Sequence, residues 1–192
     1  MKKAKSNLKT NILIVVILVL FNTSCAVNGT LQGLYSYYNK TKSTNPKLLI
    51  KIDSSKLICS LENDTIPKVY IINGNQLKKC INNSKTLVYI WPPKCKSDVC
   101  YPLHIMQRKC DDNGIDLFIV AEYYDSELMQ KSYQIKRSIF GIDTKHYKTN
   151  LTSKYVAKFN FDLMGKKITD RFVYFENGIF KKSNYSLEAV IN

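Results

Sequence analysis

The chain has 192 residues, 45% of them hydrophobic and 23% charged, and a formal net charge of +14 at pH 7. That hydrophobic share excludes a disordered or collagen-like chain, and the length suits one domain with a substantial core better than two. The chain opens on a basic start of Lys2, Lys3, Lys5 and Lys9, followed by an apolar run from Ile12 to Phe21. That run is too short to cross a bilayer as a helix and has the size of the apolar region of an export signal, which we place over residues 1–24.

Thr23 and Ser24 precede Cys25, and this ending resembles a bacterial lipoprotein signal. The resemblance implies cleavage before Cys25, acylation of its thiol (palmitate among the acyl groups), and a protein lipid-anchored to a bacterial membrane, facing the periplasm. Ordinary secretion and an uncleaved anchor are the alternatives. Ala26, Val27 and Asn28 carry no acidic sorting tag. Without the four leader lysines the net charge is about +10, enough to draw an acidic partner or an anionic membrane surface. A solvated lysine-rich surface is the simpler reading, and no nucleic-acid partner is expected outside the cytoplasm.

Export permits disulfides. With Cys25 taken by lipid, Cys59, Cys80, Cys95, Cys100 and Cys110 remain. Their number is odd, so at least one thiol is free or pairs with another molecule. Several two-bridge pairings are open, and Cys59–Cys80 is one possible bond among them.

Residues 25–46 read as a tether holding a domain of residues 47–192 off the lipid. Tyr35, Tyr37 and Tyr38 offer an alternative, contact with the bilayer interface. Short β-like runs follow at 48–52, 57–61 and 69–72, the first two forming a small sheet extension ahead of the core. Residues 75–83 read as a helix with Leu77, Cys80 and Ile81 on one face. A central strand covers 86–91 and, being almost wholly β-branched, aromatic or Leu, is expected to be covered on both faces.

Trp91 is followed by Pro92-Pro93, then Cys95 and Cys100. Pro102 limits where the next helix begins, and a start near 99–101, capped by Ser97 or Asp98, places Cys100 in the first turn. On a continuous helix residues five apart diverge, so a 95–100 bond requires a turn at 95–98. Lys94 and Lys96 favour a thiolate at Cys95, and Asp98 opposes one at Cys100. Cys95 is therefore the candidate nucleophile and Cys100 the resolving thiol. A structural disulfide, or two unpaired thiols, is the alternative.

The helix continues through Leu103, Met106 and Cys110, which points Cys110 into the core. A buried strand spans 115–123. Ser126 caps a helix at 127–137, and 139–142 is a short apolar, strand-like segment. A helix from Ser153 to Gly165 carries Tyr155, Val156, Phe159 and Leu163 as core. A hairpin covers 171–182 with Asn177-Gly178 at its turn, and a last helix runs from 186 to 190.

Val88-Tyr89-Ile90-Trp91, three residues, then Cys95 resembles the active-site strand and turn of thioredoxin-like proteins. Phe175-Glu176-Asn177-Gly178 resembles that superfamily's late hairpin. The resemblance implies an α/β fold with a thioredoxin-like central sheet flanked by helices, an insertion at 138–150, and a thiol–disulfide oxidoreductase using Cys95 and Cys100 with no cofactor. Its partners would be protein thiols and disulfides. The family's cysteines are usually two residues apart, against four here, and Thr169-Asp170-Arg171 has no proline where the family carries a cis-proline. Two alternatives follow: a non-catalytic binding lipoprotein of an envelope or export complex, and a copper carrier using Cys95, Cys100 and a histidine, His104 or His146. No serine nucleophile elbow, phosphate-binding glycine loop or zinc motif is present.

Overall fold

Four runs of β-branched and aromatic residues lack the polar alternation of a half-exposed strand, and each is buried almost end to end: Lys85–Trp91, Asp116–Ala121, Ile139–Ile142 and Phe172–Glu176. Strands of this kind need cover on both faces, which dictates a sheet between helices. The computed structural model describes residues 33–53, 57–81, 84–97 and 100–191. The chain divides into two units, Met1–Thr30 and Leu31–Asn192, and every described residue belongs to the second. The export signal and Cys25 lie outside the described residues.

The strands are β1 (Leu49–Lys51), β2 (Val69–Ile72), β3 (Lys85–Trp91), β4 (Asp116–Ala121), β5 (Ile139–Ile142), β6 (Phe172–Glu176) and β7 (Ile179–Asn184). Their order in the sheet is β1-β2-β5-β4-β3-β6-β7, parallel from β1 to β3 and antiparallel from β3 to β7. The helices are α1 (Tyr38–Thr44), α2 (Gly74–Lys78), α3 (Leu103–Asp112), α4 (Ser126–Met129), α5 (Thr152–Met164) and α6 (Glu188–Ile191). One core, with Leu87, Tyr89, Met106, Cys110 and Phe172, lies on one face of the sheet; the other, with Val88, Ile90, Phe118, Phe159 and Leu163, lies on the opposite face. This is a seven-stranded mixed α/β sheet flanked by helices, consistent with the expected thioredoxin-like fold, with β1 as the expected extension at its edge.

Several boundaries move, each for a local reason. The run 57–61 is not a strand: Ile58 is buried and Cys59 is bonded to Cys80, with Cα atoms 5.1 Å apart. Asn73 caps α2 through a reciprocal bond with Gln76, so that helix starts at Gly74. The helix expected at 127–137 is a single turn, and its cap is Asp125, not Ser126. Beyond it, tertiary partners hold the chain: Asn63 donates to the Tyr133 carbonyl, Gln107 accepts from the Lys136 amide, and Arg137 forks onto Asp116. Part of the segment expected to be a tether is instead packed. Residues 33–46 pack on the body: Ser36 bridges Asn150 and Tyr124 through its backbone, and the Tyr37 and Tyr38 rings meet Tyr123 and Tyr124 edge-on.

The apolar segment 139–142 is not peripheral. As β5 it separates β2 from β4, and Tyr124 lies across it, donating to the Ile142 carbonyl at 2.6 Å. A Cβ on Gly141 would stand 2.6 Å from the Tyr124 ring. Gly141→Ala is therefore expected to cost roughly 1–3 kcal/mol in urea unfolding. Cys59→Ser with Cys80→Ser should lower stability by about 2–4 kcal/mol, from the lost cross-link.

Candidate functional site

β3 is a buried interior strand between β4 and β6, and its carboxyl end delivers the chain to the sheet rim. Pro92-Pro93 ends the strand. Cys95 N–H then donates to Pro92 O (3.1 Å) and Cys100 N–H to Ser97 O (2.9 Å), so the cysteines sit on consecutive turns. These hydrogen bonds tie Cys95 to Pro92 and Cys100 to Ser97 rather than closing the 95–98 turn expected from the sequence, and the two sulfurs are bonded, with Cα atoms 5.9 Å apart, inside the usual disulfide span. The loop is pinned to the end of β4: Lys94 N–H donates to the Tyr123 hydroxyl (3.0 Å), and its ammonium pairs with Asp125 (2.8 Å).

The helix after this loop starts later than expected, at Leu103 with Pro102 as its N-cap. Proline disfavours helical backbone at the residue before it, so Tyr101 and Cys100 stay outside the helix. Cys100 is thus not in a first turn, and Ser97 does not cap the helix. The Ser97 hydroxyl instead lies 3.3 Å from both sulfurs.

The residue that sequence reasoning missed is Arg171. Antiparallel pairing of β3 with β6 sets Tyr89 opposite Phe172, their rings stacked at 4.8 Å, and Ile90 N–H donates to the Arg171 carbonyl at 2.7 Å. The residue just before β6 is thereby held at the end of β3, beside the cysteine loop. Arg171 Nη1 lies 3.2 Å from Cys100 Sγ and 3.5 Å from Cys95 Sγ. The resemblance directed attention to a missing proline in Thr169-Asp170-Arg171, not to the side chain that stands there. Lys94, expected to polarise Cys95, is turned to Asp125, and the cation beside the sulfurs is Arg171.

Two groups near Arg171 carry perturbed acidities. Burial raises Tyr89 to about 12, against the pull of the Arg171 charge, and its buried hydroxyl has no hydrogen-bond partner among the described residues. Burial also raises the Glu122 carboxyl, again opposed by Arg171.

The other predicted positions are elsewhere. Cys110 is a fully buried free thiol in α3, pushed up to about 12 by burial and the nearby Asp111 and Asp116. His104 is exposed on α3; His146 rests edge-on against Tyr147, with Nε2 3.8 Å from Asp162. Among the described residues no three His, Cys, Asp or Glu side chains are grouped to hold a metal ion.

Iodoacetamide at pH 8 is expected to modify Cys110 only after unfolding, as read by peptide mapping; labelling of the folded chain would contradict its burial. Glu122 gives a pH test. Because its folded pKa is raised, its contribution to stability is complete below its ordinary value of 4.5 and is lost as pH rises through the raised value. Glu122→Gln should therefore be more stable than the natural chain at neutral pH in chemical denaturation. That gain should disappear near about pH 4.

Compared with protein-family models, curated proteins and solved structures, the chain matches none.

Proposed function

We propose that this protein is an exported, lipid-anchored thiol–disulfide oxidoreductase of thioredoxin-like type. The observation that carries this reading is a half-buried, bonded cysteine pair at the sheet rim with a guanidinium and a hydroxyl directed at both sulfurs. A purely structural cross-link gains nothing from a cation on its sulfurs. A reactive pair does, because the thiolate is the attacking species and charge-assisted hydrogen bonds stabilise it.

In the reduced protein Cys95 attacks one sulfur of a substrate disulfide, forming a mixed disulfide and expelling the other substrate sulfur as thiolate. Cys100 thiolate then attacks Cys95 Sγ. This re-forms the 95–100 bond and releases the second substrate thiol. Two electrons pass from the protein dithiol to the substrate; the reverse sequence oxidises a substrate dithiol. Arg171 serves whichever sulfur bears the charge, and Ser97 can donate to either. Anchoring through Cys25 would confine the exchange to a membrane surface facing the periplasm. The absence of proline in Thr169-Asp170-Arg171 favours the second reading, a non-catalytic accessory protein whose 95–100 bond is structural.

Cys100→Ser should trap a mixed disulfide at Cys95 when the reduced chain meets a model protein disulfide, visible as a reducible adduct by mass spectrometry. Absence of any adduct would favour the accessory reading. Arg171→Met should raise the Cys95 thiol pKa by about one to two pH units, followed by pH-dependent alkylation. An unchanged alkylation profile would remove Arg171 from the chemistry.

A further inference from the structure

Beside the disulfide lies a cleft of about 210 Å³ whose walls include Glu122, Ser153, Thr169, Arg171, Leu34 and Tyr185. Arg171 is common to both places. Only its Nη1 is engaged by the sulfurs, and among the described residues it forms no ion pair. Glu122 is likewise without an ion pair or a side-chain hydrogen bond among the described residues, although burial disfavours its charge. One small cleft therefore presents a guanidinium and a carboxyl that attract each other without forming an ion pair, together with hydroxyls and apolar groups. Leu34 and Tyr185 are 40% and 50% exposed.

Their mutual attraction only partly offsets the burial of the Glu122 carboxylate, so a ligand that pairs with each group would offset it further. A ligand doing so carries an anionic group for Arg171 and a cationic group for Glu122. The volume is below the roughly 300–1,000 Å³ of pockets for drug-sized molecules, so the occupant is about the size of one amino acid. We propose that this cleft seats the zwitterionic α-amino-acid end of a small disulfide, of which cystine is the simplest, and so selects it as substrate for the adjoining cysteine pair. The carboxylate meets Arg171, the ammonium meets Glu122, and the side-chain sulfur is directed toward Cys95. This rests on the redox reading above. Reduced protein and one cystine would give the 95–100 disulfide and two cysteines, through the same two displacements.

The test is single-turnover oxidation of the reduced, full chain by four small disulfides. These are cystine, cystamine (ammonium only), dithiodipropionate (carboxylate only) and hydroxyethyl disulfide (neither). Each rate is divided by that of the same disulfide with free dithiothreitol. Cystine should exceed hydroxyethyl disulfide by roughly tenfold or more, with the singly charged compounds between them. Glu122→Gln should reduce the cystine advantage and should not slow dithiodipropionate, whose carboxylate no longer faces a like charge. Equal normalised rates for all four, or cystamine matching cystine, would overturn the zwitterion site and leave the redox reading standing. No exchange with any of them would overturn the redox reading itself. As a check that needs no variant, S-methylcysteine added to the oxidised natural chain should perturb the NMR signals of Thr169 and Arg171, and unperturbed signals would overturn the site.

Discussion

The pairing of β3 with β6 is the constraint on which the rest depends. β3 alone determines where the cysteine loop leaves the sheet, and β6 alone determines what faces that loop. Their antiparallel register, fixed by Tyr89 stacked on Phe172, places Arg171 at the end of β3 rather than elsewhere on the rim. A register slip would carry every side chain of β6 to the opposite face, so the same contacts that bury the core also aim the guanidinium. The sulfurs, the hydroxyl of Ser97 and the cation of Arg171 come from two segments more than seventy residues apart in sequence. Packing at the centre of the sheet brings them together.

Around that pair the loop is held rather than free. Lys94 is fixed to Tyr123 and Asp125 at the end of β4, and Pro102 stops α3 from extending back over Cys100. The cysteines therefore sit on turns, where residues five apart can bond, instead of on a helix, where they would diverge. Placing Arg171 there also changes which cation would stabilise a thiolate in the proposed chemistry. The expected aid was the flanking Lys94 and Lys96; the group found in contact with the sulfurs is the Arg171 guanidinium. Direct charge-assisted contact depends less on loop dipoles, and it responds to whatever else binds Arg171. Arg171 is thus shared by the neighbouring cleft and the cysteine pair.

What the sequence made legible follows from period and punctuation. The strands at 69–72, 86–91 and 139–142 were readable because short runs of mostly β-branched and aromatic residues leave few other structures open. The Asn177-Gly178 turn was readable from its need for positive φ, which both residues adopt (50° and 76°). Leu77, Cys80, Met106, Cys110, Tyr155 and Phe159 were readable as core from helical spacing, and each is buried. The bond between Cys95 and Cys100 was one alternative left open by the sequence, and it is present with Cys95 turned back onto Pro92. The failures share a cause. Helical spacing at 127–137 was overridden by Asn63, Gln107 and Asp116, distant residues that claim its backbone and its arginine. The tether from 33 to 46 looked loose because its partners, Tyr123, Tyr124 and Asn150, lie far along the chain. Arg171 carries no local signal at all, since its role exists only once β6 lies beside β3.

The most direct measurement is the equilibrium between the Cys95–Cys100 disulfide and its dithiol in graded glutathione buffers, mapped by mass, for the natural chain and Arg171→Met. A cation on the thiolate stabilises the reduced form. The natural pair is therefore expected to titrate near an envelope poise of roughly −200 mV, and the variant at a potential more negative by about 30 mV or more. A bond that glutathione does not reduce, or a midpoint indifferent to the loss of Arg171, would contradict the proposed chemistry at its root.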